Sequence, residues 1–216
     1  MKHRMRKIVT VVRNSHRIRI GVIKLSPGMT AASAVESWLR AESGARPATP
    51  TDQLGPFYRK GTPKSEGHSA TLRAASDPGL PLAVVGAVYN TRGAVVPESK
   101  IEVWQTNHHG KYDITGYRYR ALLLASTKGE YDFQSVMPGH YPARKCQHIH
   151  FLVQAEGRKP LVTQMYFASD PIFKGDPGKN MNDDCPSIEL VRPILLSDQA
   201  TTMGASATFE LVMEPL

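Results

Sequence analysis

Little in the sequence would staple, anchor or export the chain. Two of its 216 residues are cysteine, Cys146 and Cys185, too few for the disulfide framework of a small secreted domain. They could pair, but nothing in the sequence requires it. No stretch stays apolar for the roughly 20 residues a membrane helix needs, so no membrane partner is expected. The early apolar runs Ile8–Val12 and Ile18–Leu25 are interrupted by Arg and Lys and lack the continuous core of a secretory signal. Acid is missing from residues 1–24, which carry Lys2, Arg4, Arg6, Lys7, Arg13, Arg17, Arg19 and Lys24. Removing these eight from the 27 basic residues leaves 19 against 19 acidic ones, so the net charge of +8 belongs to this segment. The rest is formally neutral and offers no basic face for nucleic acid. An acid-free, Arg-rich start is also the composition of a transit peptide. The blander readings, a tail or a start placed upstream of Met29, are preferred, and the location is expected to be cytoplasmic. Helical periodicity is scarce, while Gly and Pro are plentiful, with 17 and 16 residues.

What is present centres on Gln147-His148-Ile149-His150-Phe151-Leu152-Val153. This apolar, β-branched run reads as a strand. Residues i and i+2 of a strand share a face, so His148 and His150 project together, with Ile149 and Phe151 opposite. Two imidazoles on one rigid face are half of a metal site; the alternative is a pair of hydrogen-bonded core histidines. Upstream lie a turn with a tyrosine, Met137-Pro138-Gly139-His140-Tyr141, and a strand-loop with another, Val103-Trp104-Gln105-Thr106-Asn107-His108-His109-Gly110-Lys111-Tyr112.

The order V-W-Q-x-N-x-x-G-x-Y, P-G-x-Y, H-I-H-F resembles the intradiol ring-cleavage dioxygenases, the protocatechuate and catechol dioxygenase family, from about Thr51 to the end of the chain. The resemblance implies a β-sandwich with its metal at one end among loops. It implies one Fe(III) held by Tyr112, Tyr141, His148 and His150. The substrates would be a catechol-type ring and O2, with cleavage between the two hydroxyl-bearing carbons to a muconate-type diacid. Tyr141 matches the tyrosine that leaves the metal when substrate binds. Fe(III) suits anionic oxygen ligands, and a bound cation deprotonates its ligands below their free pKa values. The family places an arginine three residues before the first histidine. Lys145 holds that position here and Arg144 the one before it; Arg144 is preferred because a guanidinium is planar and always charged. Gln164 matches a glutamine near the metal. Tyr117 and Tyr119 lie close enough to Tyr112 to be rival ligands. Cys146 would join the histidine face if the strand began early, or else be a small buried group. His108 and His109 read as loop or pocket-wall residues. Phe57 and Tyr58, presented by Gly55-Pro56, read equally as pocket wall or core anchor.

Along the chain, Ser26-Pro27 caps a short helix over Met29–Glu42, and Ser43–Pro50 is a linker. Two regions are expected: a basic tail with a short helix over 1–48, and a catalytic domain over 49–216. Residues 59–79 have no clear element. Strands are expected at Leu82–Tyr89, Ile101–Gln105, Tyr119–Ser126, Tyr131–Ser135, His148–Gln154, Leu161–Phe167 and Ala207–Met213, with a hairpin-like link at Thr127–Glu130. Short strands at such spacing argue for an all-β, antiparallel β-sandwich. Two rival functions stand beside the dioxygenase. One is a non-catalytic β-sandwich of transthyretin-like or carbohydrate-binding type, which would be expected to lack a ligand. The other is a zinc hydrolase on His148 and His150, which leaves both tyrosines unexplained. A homo-oligomer is compatible with the sequence but not specified by it.

Overall fold

The computed structural model describes residues 7–14, 17–24, 44–199 and 202–216. The chain divides into two compact units, Met1–Arg46 and Pro47–Leu216. In the first, β1 (Lys7–Asn14) and β2 (Arg17–Lys24) pair antiparallel, from Lys7 opposite Lys24 to Asn14 opposite Arg17. The basic segment expected to be a tail is a hairpin over these residues. Val and Ile recur through both strands, and β-branched side chains favour extended backbone. The helix expected over Met29–Glu42 lies outside the described residues.

The second unit carries β3 (Ser69–Thr71), β4 (Pro81–Asn90), β5 (Lys100–Trp104), β6 (Arg120–Leu124), β7 (Glu130–Val136), β8 (His148–Gln154), β9 (Leu161–Phe167), β10 (Val191–Arg192), β11 (Leu195–Gln199), β12 (Thr202–Thr208) and β13 (Leu211–Met213). One sheet runs β10-β9-β8-β5-β6; the other runs β11-β12-β4-β7-β3, with β13 also on β4. Both sheets are mixed, which corrects the antiparallel expectation. β10 lies parallel to β9, β3 to β7, and β12 and β13 to β4. Local patterning fixes which face of a strand is buried but not the direction of its partner. The strand expected over Ala207–Met213 is split at Phe209-Glu210 into β12 and β13. The link at Thr127–Glu130 does close a tight turn, with Gly129 N donating to Ser126 O at 2.8 Å. Yet it joins β6 and β7, which enter different sheets, so it is not a hairpin. The polar stretch 59–79, expected to lack structure, contains β3.

Alternation with period two sorts β8 cleanly. Ile149, Phe151 and Val153 enter the core with Ile101, Val103, Leu123, Leu82, Val84 and Phe133. Phe151 sits 6.2 Å from both Tyr131 and Phe133 and 5.1 Å from Phe209, centroid to centroid. The opposite face holds a row that register carries straight across four strands: Arg120, Trp104, His150, Gln164. The neighbouring row sets His148 beside Tyr166. The candidate residues therefore lie on the outer face of the five-stranded sheet.

Residues 50–65 cross that face from one edge to the other. At the β9 edge Asp52 N donates to Val162 O at 2.9 Å, Thr163 Oγ1 to Pro50 O at 2.7 Å, and Gln164 Nε2 to Gln53 O at 2.8 Å. At the β6 edge Leu122 N donates to Pro63 O at 3.0 Å and Ser65 N to Leu122 O at 2.8 Å.

Candidate metal centre

His148 and His150 open β8 and are 3% and 2% exposed. Their rings meet edge to face at 4.8 Å. Trp104, the cross-strand neighbour of His150, stacks on it with centroids 4.8 Å apart and planes 2° from parallel. His148 Nδ1 lies 2.7 Å from the Cys146 carbonyl. A carbonyl only accepts, so Nδ1 carries the proton and Nε2 keeps its lone pair. Burial is the main cause that lowers the His148 pKa to about 4, aided by the Arg144 cation. Burial, then His148, holds His150 well below the ordinary value. Both imidazoles are neutral near pH 7, the state a metal ligand needs.

Tyr112 reaches the pair from the β5–β6 loop. Its Oη is 3.3 Å from His148 Nε2 and 3.1 Å from His150 Nε2. Two ligands about 2.1 Å from one ion and at right angles lie about 3.0 Å apart, so these three atoms have the spacing of neighbours around a single cation. Tyr141 closes the group, its ring 5.6 Å from that of Tyr112 and 5.8 Å from that of His148. Phe57 stacks on Tyr112 at 4.3 Å and meets Tyr141 edge-on at 5.8 Å.

The motif residues ahead of each tyrosine rivet the two loops together. Gln105, buried, accepts from Ser135 Oγ at 2.8 Å and donates to Val136 O at 2.8 Å. Thr106 Oγ1 donates to Gly139 O, and Gly139 N to Asn107 O, both at 2.9 Å. Asn107 Oδ1 accepts from His109 N and Lys111 N, each at 3.0 Å. Gly110, at φ +74°, has no room for a side chain: a Cβ there would lie 1.7 Å from the His140 carbonyl oxygen. The Tyr112 and Tyr141 loops are thus pressed backbone to backbone.

Arg144 is 9% exposed, while Lys145 is exposed. Arg144 Nη2 lies 2.7 Å from Tyr166 Oη, 2.7 Å from Asp184 O and 3.1 Å from Gln164 Oε1. Burial opposes its charge, but Tyr166, Asp52, Tyr141 and Asp184 outweigh burial and raise its pKa. Tyr166 Oη in turn donates to Asp52 Oδ2 at 2.7 Å. Asp52 and Tyr166 escaped the sequence reading. Tyr166 stands two residues after Gln164, so strand periodicity alone puts both on one face. The reach of Asp52 across more than a hundred residues has no local signal.

The rival assignments fall elsewhere. Tyr117 Oη donates to Lys60 O at 2.9 Å and Tyr119 Oη to Asp77 Oδ2 at 2.9 Å, both away from the histidines. Cys146 precedes β8, joins the core, and sets its Sγ 3.5 Å from Asn182 Oδ1. Both cysteines are free and buried. His108 and His109 line a cleft of about 560 Å³ beside Tyr112, with Lys111, Asp113 and Arg118. Phe57 covers Tyr112, whereas Tyr58 packs on Trp104 at 5.2 Å and donates to Glu102 Oε1 at 3.3 Å.

The donor set fits a hard, highly charged cation. Among the described residues no three of His, Cys, Asp and Glu gather into a metal-binding group; the side-chain oxygen that lies beside both histidine Nε2 atoms is Tyr112 Oη. Burial, then Tyr141, holds the Tyr112 hydroxyl far above its ordinary pKa; burial raises Tyr141 too. Phenolates here need a strong cation to form. Two phenolates and two imidazoles suit ferric iron better than a softer divalent ion.

The family model described as Dioxygenase matches residues 54–215. The chain is 32% identical to catechol 1,2-dioxygenase 2 of Acinetobacter lwoffii over 162 residues, 63% of this chain and 57% of that relative. It is 29% identical to chlorocatechol 1,2-dioxygenase of Rhodococcus opacus over 167 residues, 65% and 62% of the two chains. The chain thus spans less than two thirds of the length of these curated relatives. The solved dioxygenase domain of a dioxygenase–carbohydrate-binding fusion from Streptomyces sp. SirexAA-E superposes with a TM-score of 0.65 at 28% identity. That match covers 79% of this chain and all of that domain. Mercury-inhibited catechol 1,2-dioxygenase from Acinetobacter sp. ADP1 shares the fold at 24% identity, with a TM-score of 0.69 over 84% of this chain and 68% of the other.

Proposed function

Since the chain belongs to the intradiol ring-cleavage dioxygenase family, we propose that it is a ferric dioxygenase of catechol-type rings. It opens the ring between the two hydroxyl-bearing carbons with O2 and yields a muconate-type diacid. One observation carries this reading: His148 Nε2 and His150 Nε2 converge on Tyr112 Oη at 3.3 and 3.1 Å, with Tyr141 beside them. Tyr112, Tyr141, His148 and His150 would hold the iron. Bound there, ferric iron would supply the charge and the one-electron chemistry by which a catechol reacts with O2.

The chain's own residues do the rest. His148 and His150 keep their Nε2 lone pairs inward because burial keeps the rings neutral and the Cys146 carbonyl fixes one tautomer. Tyr141, the less enclosed of the two tyrosines, would be the displaceable ligand and would take a catechol proton at Oη. Tyr112, pinned between Phe57 and the riveted loop, stays in place. Arg144 steadies negative charge that builds on the ring, with Gln164 and Tyr166 holding the guanidinium. Phe57 covers Tyr112 and keeps water off that side.

Metal analysis with a visible spectrum tests the reading. About one ferric ion per chain, a reddish phenolate-to-iron band, and O2 uptake with catechols giving a muconate-type product are expected. Stoichiometric zinc in freshly purified, colourless protein would refute it.

A further inference from the structure

We infer that Asp170 is a positioning residue that fixes the distance between Tyr141 and His148 by gripping the residue just before each. Tyr141 and His148 are the ends of a short loop in which Pro142, Ala143 and Lys145 face solvent. Within the loop, Arg144 N donates to Tyr141 O at 3.0 Å. That closes one turn but does not set the span from Tyr141 to His148.

Lys145 N donates to Asp184 Oδ2 at 2.7 Å, which holds the tip of the loop; the neck has ties of its own. The Asp170 side chain is completely buried. Its Oδ1 lies 3.0 Å from His140 Nε2, and its Oδ2 accepts from Gln147 N at 2.7 Å. His140 precedes Tyr141, and Gln147 precedes His148. Gln147 Nε2 adds a second tie, donating to Pro138 O at 2.8 Å. The carboxylate itself is held rigidly. It stands just past the end of β9, its N donates to Phe167 O at 3.0 Å, and it caps the 3-10 turn Pro171–Phe173 by accepting from Ile172 N at 3.0 Å. Capping that turn needs only the Ile172 bond. The other two donors both come from the loop neck, and together the three satisfy a carboxylate that burial would otherwise penalise.

The inference rests on the proposed ferric site, and the test separates the two. Asp170→Asn keeps the shape but replaces one acceptor oxygen by a donor, so one side of the neck is released. His140→Ala frees only the Tyr141 side, and His140→Gln restores an N–H donor. Each variant is loaded with iron, and three things are read: iron release to a chelator, the phenolate band, and melting of the metal-free protein. Partners of metal ligands typically contribute about 10–100-fold to metal affinity. Asp170→Asn is expected to release iron faster by that factor with a shifted band, and His140→Ala by less, with recovery in His140→Gln. Melting of the metal-free His140→Gln protein should stay near that of the parent, since the buried carboxylate keeps an N–H donor there. Unchanged iron release and band in both Asp170→Asn and His140→Ala, with only the melting temperature lowered, would make Asp170 a turn cap and overturn the inference. If Asp170→Asn does not fold, the two His140 variants decide by the same readings. A parent protein that binds no ferric iron would instead remove the ferric site itself, and the clamp with it.

Discussion

Acid should unfold the metal-free protein through its buried histidines. The unfolded chain takes up a proton on each imidazole near pH 6.5, but folded His148 does so only near 4. Between these values the unfolded state binds more protons, so stability is whole above pH 6.5 and is lost as pH falls. For His148 the full difference of 2.5 units corresponds to about 3 kcal/mol, of which about 2 kcal/mol is gone by pH 5. His150 acts in the same direction. The lowered carboxylates, Asp77, Asp113 and Asp176, do not confuse the comparison down to pH 5, because their contribution is lost only as pH falls through the ordinary carboxylate value of ~4 and below. The assay is urea unfolding of chelator-treated protein at pH 7.5, 6 and 5, beside His148→Gln, which cannot titrate at that position. The parent should lose about 2 kcal/mol more than the variant between pH 7.5 and 5. Parallel curves for the two proteins, or a parent that gains stability towards acid, would show that His148 is not held neutral by burial.

Three further outcomes follow from the site. Tyr141→Phe should retain iron with an altered band and a steep fall in turnover, whereas His150→Ala should lose iron occupancy itself; a Tyr141→Phe protein with unchanged colour and rate would exclude Tyr141 as a ligand. Gly55→Ala should cost about 1–2 kcal/mol of stability, since Gly55 sits at φ +73°. The new Cβ, 3.0 Å from His150 Cε1 on a ring already stacked on Trp104, should also weaken iron binding, as read by titration; wild-type affinity would argue that the imidazole can yield. Tyr166→Phe removes the oxygen between Arg144 and Asp52, so turnover should drop with little change in iron content, and the drop should vanish in an Arg144→Gln background.

The histidine pair was legible because strand periodicity is a local property. Once Gln147–Val153 read as a strand, the shared face of His148 and His150 followed, and β8 and β9 begin and end where the sequence placed them. The tyrosines carry no such local signature. Tyr112, Tyr117 and Tyr119 lie within eight positions of one another, and only the resemblance preferred Tyr112. Folding separates them, because hydroxyls of the rivals are taken by Lys60 and Asp77. Arg144 and Lys145 were distinguished only on chemical grounds, and burial later set them apart. Parallel pairing, the split at Phe209-Glu210, and the long reaches of Asp52 and Asp170 depend on contacts between distant segments. A window of neighbouring residues does not encode them.

The row Arg120, Trp104, His150, Gln164 has a consequence for how such a chain can be altered. Each member comes from a different strand, so the site is written crosswise to the polypeptide. A single-residue insertion anywhere in β5, β6, β8 or β9 would rotate that strand's contribution out of line. In β8 it would exchange the imidazoles for Ile149 and Phe151. Segments grafted from relatives should therefore be tolerated when crossovers fall in the connections and strand lengths are kept. Insertions between Arg73 and Leu80, outside every strand, should leave the row intact.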